Sequence, residues 1–171
     1  CGSASGTRSH FDEQDFMEFA APGDKTVQVG WLNRFLTSAG MTSPISAITT
    51  ENQPAKALLG PIATTAIPAL SRFALTGTYT TERRQAIQAI SSATSNALLG
   101  VAGTNAIGIL DLVQTVNATT NVAYPATKLG SALKDLAALI KGDIGVRVAA
   151  VNHASWDHHA RHLISFPAMA S

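Results

Sequence analysis

Lys128-Leu-Gly-Ser-Ala-Leu-Lys-Asp-Leu-Ala-Ala-Leu-Ile-Lys-Gly-Asp-Ile-Gly-Val-Arg-Val-Ala-Ala-Val151 decides the fold class. Leu129, Leu133, Leu136 and Ile140 recur at i, i+4, i+7 and i+11, the spacing that lines one side of an amphipathic helix. Gly142 ends the pattern, and Ile144 to Val151 then gives a mostly apolar run that reads as a buried strand. Helix, short loop and buried strand are the parts of a parallel α/β sheet with helices packed on its faces. In such sheets ligands bind beyond the carboxyl ends of the strands, and here that place falls to the segment from Asn152 to His159.

That segment holds the densest cluster of metal-capable side chains in the chain, with four of the five histidines between positions 153 and 162. Asp157 and His159 are a carboxylate and an imidazole two residues apart in a loop, a pair suited to zinc or a similar divalent ion. Two ligands do not make a site, so further ligands must come from elsewhere; His158 and His162, four apart, share a face if a helix begins here. The alternative is structural: Asp157 caps a short helix, Trp156 packs on the preceding strand and the histidines face solvent. Ser155 lies in no Gly-x-Ser-x-Gly setting, which argues against a serine nucleophile.

Upstream, residues 1–7 are small and polar and read as a flexible lead-in. Ser9 followed by Asp12 and Glu13 marks a capped helix start, with Phe11, Phe16 and Met17 forming an incomplete apolar face. His10 is either a polar residue beside that cap or a further ligand. A short helix is predicted from Gly30 to near Gly40, with Trp31, Leu32, Phe35 and Leu36 as one buried stripe and Trp31 in the core. Ile45 to Thr50 alternates with period two and reads as a strand. Pro54, Pro61 and Pro68 make the next region irregular or confine it to edge strands. Beyond it, 81–116 reads as a helical insertion: one helix opens with a hydroxyl cap near Thr81, and a second spans about Ser95 to Val116. Gly100, Gly103 and Gly108 weaken that second helix, with a break possible near Gly103, and could mark close packing against a neighbour.

Composition limits the classes of function. The chain has 171 residues, 46% apolar and 13% charged, which fits one well-buried domain or part of one. Twelve basic and eleven acidic residues leave it near neutral without a basic stripe, which argues against nucleic acid. Polar or charged residues interrupt each apolar run before the roughly 20 residues of a bilayer span, so no transmembrane segment is expected. Cys1 is the single cysteine, so no internal disulfide can form. It is read as the end of a fragment, or as a processed lipoprotein start with a small-residue tether.

Four pieces in order, Arg8-Ser9-His10-Phe11-Asp12, Gly30-Trp31-Leu32-Asn33-Arg34, Tyr124-Pro125 with Leu129-Gly130, and Val146-Arg-Val with Trp156-Asp157-His158-His159, resemble one known family. It is the bacterial family catalogued as domain of unknown function 1501, exported proteins similar in fold to the alkaline phosphatase and sulfatase superfamily. The family's Gly-Gly-Trp-Asp-Thr-His pattern maps onto Trp156, Asp157 and His159, with Ser155 in place of a glycine and His158 in place of the threonine. The resemblance implies an alkaline-phosphatase-like sandwich, incomplete in this chain, with Asp157 and His159 among the ligands of a zinc, manganese or calcium site. It also implies a periplasmic or extracellular protein acting on a small phosphate or sulfate ester. The family's Gly-Gly-Ala, Ser-Glu-Phe-Gly-Arg and Asp-His-Gly segments are absent, so the chain is expected to be an internal piece that is inactive alone. The rival expectation is a non-catalytic exported protein that binds a partner or surface polymer through its loops and inserted helices.

Overall fold

The computed structural model describes residues 6–7, 9–116 and 122–153. Five helices, α1 (His10–Phe19), α2 (Trp31–Ser38), α3 (Thr80–Ala93), α4 (Ala97–Gln114) and α5 (Lys128–Lys141), accompany three short strands, β1 (Ala47–Thr49), β2 (Thr65–Ala66) and β3 (Val148–Ala150). The sheet is wholly parallel in the order β2-β1-β3, with Ile48 opposite Thr65 and Ala149. The ladder continues past the strand ends, where the Thr50 N–H donates to the Ala150 carbonyl at 3.1 Å and the Ile67 N–H to the Thr49 carbonyl at 2.8 Å.

β1 is buried along its whole length. Both faces of this strand are covered, so the polar residues Ser46, Thr49 and Thr50 of the alternating segment are buried as well. Alternation still sorts the partners. Ile48 packs with Ile45, Ile67, Ile109, Val113 and Leu139 on the side of α4 and α5. Ala47 joins Leu36 and Leu58 on the side of α2, together with Val148 and Ala150 of β3. The result is a parallel sheet between helical layers, the α/β arrangement that the helix–loop–strand unit predicted.

Three buried faces lie elsewhere than the spacing placed them. On α5 the buried side chains are Ala138 and Leu139; of the predicted stripe Leu136 packs against that core, while Leu133 and Ile140 stay exposed. Asp135 Oδ2 accepts from the Leu70 N–H at 2.9 Å and ties the helix to the turn at 70–72. On α2 the inward line is Leu32, Asn33 and Leu36; Trp31 is 46% exposed and Phe35 faces out too, which corrects the core assignment of Trp31. β3 is shorter than Ile144–Val151 and only partly buried, because it pairs with β1 alone among the described residues.

α1 starts as the sequence reads, with the Ser9 hydroxyl accepting from the Asp12 N–H at 3.3 Å. Of the lead-in, residues 1–5 lie outside the described set, and Thr7 is engaged: its hydroxyl accepts from the Ser9 N–H and donates to Asp12. Lys25 pairs with Asp12 at 2.6 Å. That ammonium, then the Thr7 hydroxyl, hold the Asp12 carboxyl below its ordinary value. Only Phe16 of the apolar face is buried.

α3 and α4 form an antiparallel hairpin. α3 begins without a side-chain cap, because Thr80 is already helical and the cap position falls to Tyr79 in a left-handed conformation. α4 runs unbroken through Gly103. A side chain at Gly103 would collide with the Ser91 side chain and one at Gly100 would press on the Ser91 carbonyl, so these two glycines do mark the close approach of the helices. Gly108 faces open space. By length and composition alone α4 would suffice to cross a membrane, although only 17% of it is buried in the fold.

Candidate ligand cleft at the carboxyl ends of the strands

A cleft of about 730 Å³ opens over the carboxyl ends of β1 and β3, the position at which parallel sheets bind ligands. Thr49 and the Glu51–Ala57 loop come from the β1 side, and Ala149 to Asn152 from the β3 side. Gln14, Met17 and Glu18 of α1 and Trp31 and Leu32 of α2 close the remaining wall.

The wall is held by bonds that begin in buried backbone. Asn33 is fully buried and satisfies three partners: its amide donates to the Leu58 and Ile62 carbonyls at 2.8 and 2.7 Å, and its Oδ1 accepts from the Ile62 N–H at 3.1 Å. Gly30 lies so close to the backbone of Lys56 and Ala57 that no Cβ fits there. This contact locks the first turn of α2 against the loop and leaves Trp31 on the cleft side. The sequence reading missed Trp31 as a cleft residue, since a tryptophan at apolar spacing is usually core.

Each charged group of the cleft has a partner. Glu18 accepts from the Ala57 N–H at 2.6 Å, Lys56 pairs with Asp15, and Glu51 pairs with Lys128 at 2.7 Å, reaching from the loop to the start of α5. The Thr49 hydroxyl accepts from the Glu51 N–H at 3.3 Å and holds the turn. Gln14, Asn52, Gln53 and Asn152 add amide groups to the lining that Trp31 shares. Such a surface mixes apolar and amide groups, and it suits hydrogen bonding and stacking.

Asp157, His159, His158 and His162, the proposed metal ligands, lie outside the described residues. His10 is described: it is exposed at the start of α1 with its ring 4.1 Å from that of Phe11, away from the cleft lining. Among the described residues no three His, Cys, Asp or Glu side chains converge on a point that could hold a metal ion. The structure thus places the strand that leads to Asp157 at the edge of a cleft, with Asn152 on its rim. Comparison with family models, with curated proteins and with solved structures finds no match.

Proposed function

We propose that this chain carries the ligand cleft of an exported, metal-dependent hydrolase-like protein acting on phosphate or sulfate esters. One observation carries the reading: the cleft lies at the carboxyl ends of parallel β1 and β3, and from its rim at Asn152 the chain continues in sequence to Asp157 and His159. The resemblance of Trp156-Asp157-His158-His159 to the Gly-Gly-Trp-Asp-Thr-His pattern supports it. A bound zinc, manganese or calcium ion would neutralise developing charge and activate a nucleophile in such chemistry. The described cleft residues do not form its ligand set, because Glu18 and Glu51 are already engaged. Their part is to receive the organic portion of the ester.

The test is metal content of the full-length protein purified without added metal, beside an Asp157→Ala/His159→Ala variant. Near-stoichiometric metal and ester hydrolysis, both lost in the variant, are expected. A second reading, a non-catalytic protein that binds a surface polymer, is favoured by the exposed Trp31 in a cleft that amide side chains also line. It requires metal to be absent from both proteins and polymer binding to fall in a Trp31→Ala variant.

A further inference from the structure

We propose that the ligand of the cleft is a carbohydrate, with one sugar ring packed on Trp31 and its hydroxyls read by the amide side chains of the walls. The inference deepens the reading above, in which the cleft receives the organic portion of an ester, and rests on it. Trp31 lines the cleft and is 46% exposed, although it opens a helix whose neighbouring residues are pinned. Gly30 leaves no room for a Cβ against the Ala57 backbone, and Asn33 is fully buried. The Arg34 guanidinium donates to the Val29 carbonyl and, at 2.7 Å, to the Phe19 carbonyl. The aromatic surface is therefore in place before a ligand arrives, so little ordering opposes binding.

The polar groups left for a ligand are neutral. Gln14, Asn52, Gln53 and Asn152 are exposed in the lining, and none of these side chains hydrogen-bonds another described residue. They stand on three walls: Gln14 on α1, Asn52 and Gln53 on the loop after β1, and Asn152 after β3. Each amide both donates and accepts, as a hydroxyl does, and a sugar carries hydroxyls around its whole rim. The C–H face of a sugar ring is apolar and suits an aromatic side chain. A purine stacks as well, but it is read along one edge by one or two side chains, which leaves the amides of the other walls unused. A nucleic-acid strand needs a positive groove, whereas Lys56, the cation among the described lining residues, is paired with Asp15.

The test is calorimetric titration of the chain, with EDTA present, using maltohexaose, cellohexaose and chitohexaose, and adenosine as the stacking control. At least one of the three saccharides is expected to bind at millimolar concentration or below. Trp31→Ala should weaken that binding about tenfold, Asn52→Ala/Gln53→Ala severalfold, and Trp31→Phe much less. Circular dichroism should be unchanged, since the altered side chains are exposed. No heat from any saccharide, adenosine binding in their place, or saccharide binding that Trp31→Ala leaves intact overturns the proposal. With metal removed, the two readings separate. Saccharide binding by a protein whose full-length form holds no metal defeats the hydrolase alone, and metal-dependent ester hydrolysis without saccharide binding defeats the carbohydrate alone.

Discussion

The α2 side of the sheet and the α3–α4 hairpin solve the problem of packing polar groups in opposite ways. Beside α2, one fully buried amide, Asn33, joins three backbone groups of a distant loop, and the long-range contact specifies a single arrangement. In the hairpin, polar side chains bond to the nearest turn of their own helix, and α3 contributes no buried residue at all. Closeness there is gained by removing side chains, with Gly100 and Gly103 against Ser91. The first region is fixed by what it must satisfy, and the second by what it omits. Only the first encloses a ligand cleft, because a cleft needs walls whose positions do not depend on their occupant.

The comparison can be broken most forcefully at Asn33. An Asn33→Ala change leaves the Ile62 carbonyl and N–H without their partner, while the Leu58 carbonyl keeps the Thr64 hydroxyl at 3.3 Å, so a loss of about 2–3 kcal/mol is expected in denaturant unfolding, with the cleft loop released. A change below about 1 kcal/mol would show that the loop is held by other contacts. In the hairpin the matching test is a pair. Gly103→Ala forces a methyl group into Ser91 and should cost about 1–3 kcal/mol, while Gly108→Ala, in open space, should gain up to about 1 kcal/mol by raising helix propensity. Equal effects at the two positions would mean that the helices do not pack as closely as described.

The smallest effect is one of pH. The Asp12 carboxyl is held below its ordinary value by Lys25 and then by Thr7, so the folded state favours its charged form. Its contribution is complete above the usual carboxylate range near pH 4 and is lost as pH falls through the lower folded-state value. Amide exchange should therefore rise first at the start of α1 on acidification, while amides between residues 85 and 110, where nothing titrates, remain as they were. Simultaneous loosening of both regions would deny their independence.

Much of this was legible because it is local. The Ser9 cap, the spans of α4 and α5 and the irregular proline region follow from short-range spacing and turn chemistry, and the helix–loop–strand unit pointed to a parallel sheet without naming which strands pair. The cleft was legible only as a place, beyond β3, since the carboxyl end of a parallel strand is where the sheet opens. Its wall was not: Trp31, Glu18 and the 51–57 loop meet through contacts across the fold. Periodicity also missed the inward faces of α2 and α5 by part of a turn. A spacing reports that a helix has an apolar side, but not the hydrogen bonds to distant backbone that Asn33 and Asp135 make from those helices.

By itself, then, the sequence determined the class of fold, the element types, the near-neutral charge and the charge-free run from Gln85 to Leu110, all of them properties of neighbouring residues. The tertiary structure decided which face each helix buries and which side chains line the cleft, and it divides the charge-free run between an exposed tip at Leu98 and Leu99 and the buried Ile107 and Ile109. These depend on groups far apart in the chain, whose partners are chosen by the burial of polar atoms that no local pattern records.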